Sequence, residues 1–197
     1  NIIMEPTVMD YDGMKMGLVP WIAPDNEDQA MSFLKNAKCD IIGGHFELQG
    51  FEMLRGIVNE HGLDPKIFKR FEAVYSGHFH VKSSRDNIHY LGSQMEFFWS
   101  DAHDKKHFHV MDTETRDVIA IHNPYTLFEK ITYDDTNNDY LSNSLDHIDN
   151  KFVKVVVVNK SDTFVFDRFI DRINNRKIHD LKICLLYTSD AADELCR

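Results

Sequence analysis

The chain has 197 residues, with 22 Lys and Arg against 32 Asp and Glu, a formal net charge of −10. At 43% apolar and 27% charged it has the composition of a folded globular protein, one domain or one domain and part of another. Its longest apolar runs, such as Val155-Val156-Val157-Val158, are too short to span a bilayer, and its acidity excludes a protein that coats nucleic acid by bulk charge.

Both ends read as cut. The chain does not begin with Met and has no signal segment. Its last stretch, 184–197, starts Cys184-Leu185-Leu186-Tyr187-Thr188-Ser189 and back-translates to a transposon adapter used in sequencing libraries, so it is set aside from the fold. That leaves Cys39 as the one native cysteine, which excludes a disulfide framework and points to a reducing, cytoplasmic setting.

In chain order, residues 7–11 and 14–18 are short runs around Asp12-Gly13, the dipeptide of a tight hairpin turn. Pro20 and Pro24 break the chain; Asp25 or Asn26 then caps a helix to about Lys38, with Ala30, Phe33, Leu34 and Ala37 on one stripe. Residues 39–42 form a buried strand that stops at Gly43-Gly44-His45. Residues 51–70 mix helical turns with breakers, and 73–75 form a second buried strand that stops at Ser76-Gly77-His78-Phe79-His80. Short strands come next at 88–91, 107–111, 118–121 and 127–133. Residues 134–150, rich in Asp, Asn and Ser, read as a linker. A strong strand at 151–158, an amphipathic helix at 163–174 and a strand from 178 to 183 then open a second domain. The organisation is α/β, divided 1–133, 134–150 and 151–183.

The chemistry rests on three of the eleven histidines. His45, His78 and His80 follow glycine-terminated strands, and in α/β sheets ligands gather at the carboxyl ends of strands. A glycine before the histidine leaves room for a metal or phosphate to approach. Neutral imidazoles suit Mn, Fe or Zn, and two such ions can clamp a phosphoryl group. A second His-Phe-His, His107-Phe108-His109, has no glycine or strand end before it and reads as solvent-facing decoration. His61, His89, His103, His122, His147 and His179 read as incidental. Trp21 and Phe97-Phe98-Trp99 read as packing rather than base-stacking platforms, and Cys39 as a core thiol.

Gly44-His45 followed by Ser76-Gly77-His78-Phe79-His80 resembles the last two metal motifs of calcineurin-like metallophosphoesterases. With His45-Phe46-Glu47-Leu48-Gln49-Gly50-Phe51, Tyr90-Leu91-Gly92-Ser93 and Met111-Asp112-Thr113-Glu114-Thr115, the chain is similar over most of 7–183 to the SbcD-type recombination nucleases, the phage type in particular. The resemblance implies packed β-sheets flanked by helices over 1–133, here incomplete, and at 151–183 the start of a small α+β capping domain that helps bind DNA. It implies a metal site at His45, His78 and His80, with two divalent ions, Mn in this family, and hydrolysis of DNA phosphodiesters. It implies an SbcC-type coiled-coil ATPase partner and a homodimer, with no membrane. The family's opening motifs, Asp-x-His, Gly-Asp and Gly-Asn-His-Asp, are missing in that order, so the expected catalytic histidine and bridging Asp lie upstream and the 197-residue piece is expected to be inactive. The rival readings are a small-molecule phosphomonoesterase or phosphodiesterase of the same fold and a non-catalytic scaffold subunit. They differ in whether DNA is cleaved and whether metal is bound.

Overall fold

A computed structural model describes residues 2–186; the remainder of the adapter-like tail, 187–197, lies outside the described residues. The architecture is α/β, with several sheets and two α-helices among the described residues. Two compact units are present, one of residues up to 95 with 105–124, the other of 96–104 with 125 onward.

In the first unit, β1 (Thr7–Tyr11) and β2 (Met14–Val19) form the expected antiparallel hairpin. Asp12 and Gly13 both take positive φ, 53° and 92°, and the Asp10 carboxylate accepts from the Gly13 amide at 2.7 Å. Helix α1 (Glu27–Asn36) comes after it. Asn26 is its N-cap by position only, because its carboxamide points back into the preceding loop, accepting from the Ala23 amide at 2.8 Å and donating to the Trp21 carbonyl at 2.9 Å.

Next come β3 (Ile41–Gly44), the small hairpin β4 (Glu52–Leu54) and β5 (Ile57–Val58), β6 (Ala73–Ser76), β7 (Ser83–Arg85) and β8 (Ile88–Tyr90). Residues 51–70 hold this hairpin and one 3₁₀ turn, Pro65–Phe68, where more helical character is read from sequence. The main sheet has the order β1-β2-β3-β6-β8-β7. Its four inner strands, β2, β3, β6 and β8, are parallel, and antiparallel β1 and β7 flank them. Parallel inner strands are covered on both faces, which is why β3 is a continuous buried run rather than an alternating one. In β6 and β8 alternation returns: Val74, Ser76, Ile88 and Tyr90 are buried while Tyr75 and His89 face the other side half-buried. Ala30 and Leu34 of α1 join Ile42, Phe46, Val74, Ile88 and Tyr90 in one core. Cys39 is a half-buried free thiol against that core, and burial pushes its pKa up.

The last elements of this unit, β9 (Lys106–Met111) and β10 (Val118–Asn123), pair as a two-stranded antiparallel ribbon.

The second unit is a parallel three-stranded sheet of β11 (Phe128–Asp134), β12 (Phe152–Asn159) and β13 (Asp180–Leu185), with α2 (Thr163–Asn174) connecting the last two. Phe166, Phe169 and Ile173, at helical spacing, pack on Tyr133, Val153, Val155 and Val157. Asp162 caps α2 by accepting from the Phe164 and Val165 amides. Three readings shift here. Strand β11 pairs with β12, so residues 128–134 belong to the second unit's sheet instead of closing the first domain. The polar stretch 134–150 carries Leu145 and Ile148 into this core, because its Asp and Asn side chains serve turns rather than solvent: Asp139 accepts from the Leu141 and Ser142 amides. Cys184 and Leu185, part of the stretch set aside, complete β13 opposite Val156 and Val157. In this unit the 97–99 aromatics are not uniformly packed. Phe97 and Phe98 are exposed, while Trp99 packs on Phe128 at 4.8 Å and holds the Lys154 ammonium over its ring. Among the described residues no helix is long and apolar enough to cross a membrane.

Candidate functional site

The site arises from the parallel order of the sheet. Because β2, β3 and β6 run side by side in the same direction, their carboxyl ends lie along one edge, with Val19, Gly44 and Ser76 in register. One or two residues beyond those ends stand Trp21, His45 and His78. Their rings form a cluster: His45 and His78 meet edge to face at 4.9 Å, Trp21 stacks on His45 at 4.7 Å with 27° between the planes, and Trp21 lies 5.3 Å from His78. Trp21 is 56% exposed, so the reading of it as a packed core residue is overturned. The local reason is Asn26, which binds the loop on both sides of Ile22 and holds Trp21 at the strand end instead of letting it turn into the core.

The two histidine loops are fastened to each other by side chains that sequence reasoning had left without a role. Buried Ser76 donates its hydroxyl to the Phe46 carbonyl at 3.1 Å and accepts from the Phe46 amide at 3.0 Å. Buried Tyr90 donates to the same carbonyl at 2.8 Å and accepts from the Leu48 amide at 3.1 Å. The backbone after His45 therefore cannot move without breaking buried hydrogen bonds to the strand that carries His78 and to its neighbour. Tyr90 sits in the Tyr90-Leu91-Gly92-Ser93 motif, and a buried tyrosine needs a partner for its hydroxyl, which is the signal that would have pointed to it.

The two glycines before the histidines act differently. A Cβ on Gly44 would fall 2.4 Å from the Phe46 ring, so this glycine makes room for a core phenylalanine rather than for a ligand. A Cβ on Gly77 would meet only His45 Nδ1, at 3.9 Å, so that glycine does face the imidazole pair.

Electrostatically, His45 is held below the ordinary imidazole range by partial burial first and by the neighbouring His78 and His80 next. Burial also lowers His78, opposed by the Glu47 carboxylate and reinforced by His80. Both shifts favour the neutral form of the ring, which is the form that coordinates cations. His78 Nδ1 is buried and has no hydrogen-bond partner among the described residues, which leaves an open lone pair or N–H. His80 is close enough to act on both rings, and its carbonyl accepts from the Lys106 ammonium at 3.2 Å. Even so, among the described residues no three His, Cys, Asp or Glu side chains gather into a set that could hold a metal ion. The donor chemistry fits a divalent cation; the described residues supply a pair of imidazoles and a nearby third, not a finished ligand shell.

His45 and His78 themselves form part of the lining of a cavity of about 230 Å³. Trp21, Ile22, Phe46 and Leu63 give it apolar walls, and Glu27 and Glu47 are its acidic lining residues.

The other candidates separate from this cluster. His107 and His109 share the less exposed face of β9 rather than pointing to solvent, and Phe108 between them is exposed; the solvent-facing reading of the pair is therefore inverted. His107 faces His122 across the ribbon at 5.5 Å. His89 stacks on Tyr75 and meets Ser84. Near His103, the carboxylate of buried Asp101 accepts from the Phe97 and Phe98 amides, a turn-closing task.

No family model matches the chain. Over 129 residues, 66% of its length, the chain is 34% identical to Exonuclease subunit 1 of Enterobacteria phage T4. The match covers 38% of that phage protein, so the chain spans well under half the length of its relative.

Proposed function

We propose that this chain is part of a phage-type DNA nuclease of the SbcD class, built on the calcineurin-like metallophosphoesterase plan, that works on DNA phosphodiesters beside an SbcC-type coiled-coil ATPase. The observation that carries this reading is the pairing of His45 and His78 at the carboxyl edge of adjacent parallel strands, with His78 Nδ1 buried and unpartnered among the described residues. The likeness to a phage exonuclease subunit supports the nuclease half of it.

In this reading His45, His78 and His80 would contribute donors to two divalent ions, Mn being the family's metal. When bound, such ions polarise a phosphoryl oxygen and lower the pKa of coordinated water. The chain's own part is preparation. Desolvation favours the neutral form of both imidazoles, the Ser76 and Tyr90 hydroxyls fix the His45 loop against β6 and β8, and the Trp21 ring shields one side of His45. Two ions close together repel, and a carboxylate bridge normally offsets that repulsion. The described residues gather no such set, so the 197-residue chain is expected to bind metal without robust turnover.

The test is a pair of measurements. Mn titrated into the chain should selectively broaden the imidazole NMR signals of His45, His78 and His80. The complete gene product should cleave linear DNA with Mn and lose that activity in His78→Ala. Uniform broadening of all histidines, or a complete product that hydrolyses nitrophenyl phosphates and leaves DNA intact, would overturn the reading.

A further inference from the structure

Away from the two imidazoles that line one part of it, the cavity at His45 and His78 is chemically unlike a phosphate site. Among the described residues no Lys or Arg lines it, its walls are largely apolar, and its acidic lining residues are Glu27 and Glu47. An anion entering it would lose water and meet like charge. A flat, uncharged aromatic group would lose little and gain apolar contact.

Trp21 supplies the surface for such a group. One face of the indole is taken by His45, yet the residue as a whole stays 56% exposed and is part of the cavity lining. Its loop is already ordered by the two Asn26 hydrogen bonds, so stacking on it needs little further immobilisation. The carboxylates add a polar preference, since they accept hydrogen bonds and offer none when ionised. One Glu47 oxygen is engaged by the Asn59 amide at 3.2 Å. Adenine, cytosine and guanine carry an exocyclic amine that can donate to such a carboxylate; thymine carries none.

We propose that this cavity is a nucleobase subsite, in which Trp21 stacks the base of the nucleotide whose phosphodiester lies at His45 and His78, and the acidic lining residues Glu27 and Glu47 favour amine-bearing bases over thymine. The assignment rests on the nuclease reading for the identity of the ligand, and on the cavity's own chemistry for its placement. It makes Trp21 a binding residue: the indole grips the base and leaves the reacting atoms to the imidazoles.

The experiment uses the 197-residue chain in EDTA and nucleosides without phosphate. Deoxyadenosine should quench tryptophan emission saturably, and the quench should survive in Trp99→Phe, which removes the other tryptophan, in the second unit. Trp21→Ala should weaken deoxyadenosine binding about tenfold or more, the loss expected for one base stack, when read by the shift of the His45 and His78 imidazole signals. Trp21→Phe should restore most of the binding by the same readout, and thymidine should bind more weakly than deoxyadenosine to the unmodified chain. A cooperative melt like that of the parent chain verifies that Trp21→Ala is folded. No saturable quench in the folded parent chain, or unchanged binding in folded Trp21→Ala, overturns the subsite. Because phosphate and metal are absent, the result stands apart from the cleavage assay: loss of DNA cleavage in the complete product would remove the nuclease reading while a Trp21-dependent nucleoside site remained.

Discussion

The chain contains the tripeptide His-Phe-His twice, and the two copies meet opposite fates. In His78-Phe79-His80 the phenylalanine is 5% exposed and packs on Tyr90 at 4.7 Å, which anchors the loop that brings the His78 ring into the strand-end cluster. In His107-Phe108-His109 the phenylalanine is 51% exposed on the outside of a two-stranded ribbon, beside Val110, Ile119 and Ile121, while the histidines line the opposite face. In an extended strand side chains alternate, so two histidines two apart must share a face whatever they are for. In a loop that freedom returns, and a buried central residue can decide where the flanking rings go. The same three side chains thus make an anchor in one place and a strand pattern in the other.

The largest contrast is expected from the two phenylalanines. Phe79→Ala should destabilise the chain by about 3–5 kcal/mol, the usual result of emptying an aromatic core site. Phe108→Ala should change stability by less than about 0.5 kcal/mol, as exposed substitutions do. Urea unfolding monitored by circular dichroism measures both, and equal losses would erase the distinction between anchor and decoration.

Metal-linked stability comes next. Mn at about 100 times its dissociation constant should stabilise the chain by about 2.7 kcal/mol if it binds only the folded state. His78→Ala should remove that gain, whereas His109→Ala should keep it. A melt with and without EDTA decides, and a gain lost equally in both variants would place the cation elsewhere.

The clamp beneath the first tripeptide is expected to be worth somewhat less. Tyr90→Phe keeps the ring but leaves the buried Leu48 amide without its acceptor and takes one of two hydroxyl donors from the Phe46 carbonyl. The cost should be about 1–3 kcal/mol, with faster hydrogen exchange at Leu48. Exchange unchanged at Leu48 would show that the hydroxyl does not hold this loop.

The smallest effect concerns the ribbon. His109 is held below the ordinary imidazole value by burial and then by the Lys82 ammonium and His107. With its folded pKa depressed, the unfolded chain takes up the proton first. The stability from keeping this ring neutral is therefore full above about pH 6.5 and lost as pH falls through the folded value. Lys82→Gln should shift the NMR titration midpoint of His109 upward and soften that loss; a downward or absent shift would show that Lys82 does not act on the ring.

Much of the secondary structure was legible because it depends on neighbours in sequence. Asp12-Gly13 marks a turn wherever it stands between apolar runs, and Phe166, Phe169 and Ile173 mark a helix face by spacing alone. The histidines after glycine-ended strands were equally visible. Their fastening was not: the Ser76 and Tyr90 hydroxyls meet the Phe46 carbonyl from 30 and 44 residues away, and no local pattern encodes such a bond. Composition misled at 134–150, where polar side chains fold back on their own turns and let Leu145 and Ile148 reach a core. It misled again at Trp21, where an asparagine five residues later holds an aromatic ring outside the core.

By itself, then, the sequence settled most of the longer strands and both helices, though not the short strands β4, β5 and β7, and it showed which donor side chains stand just past strand ends, since these depend on backbone preference and short-range spacing. Only the tertiary structure decided that three of those ends lie side by side and that the rings of Trp21, His45 and His78 touch. Parallel strands must be joined by crossovers, so their pairing is a long-range contact. It is chosen by the burial of the whole sheet, and no single stretch of residues carries it.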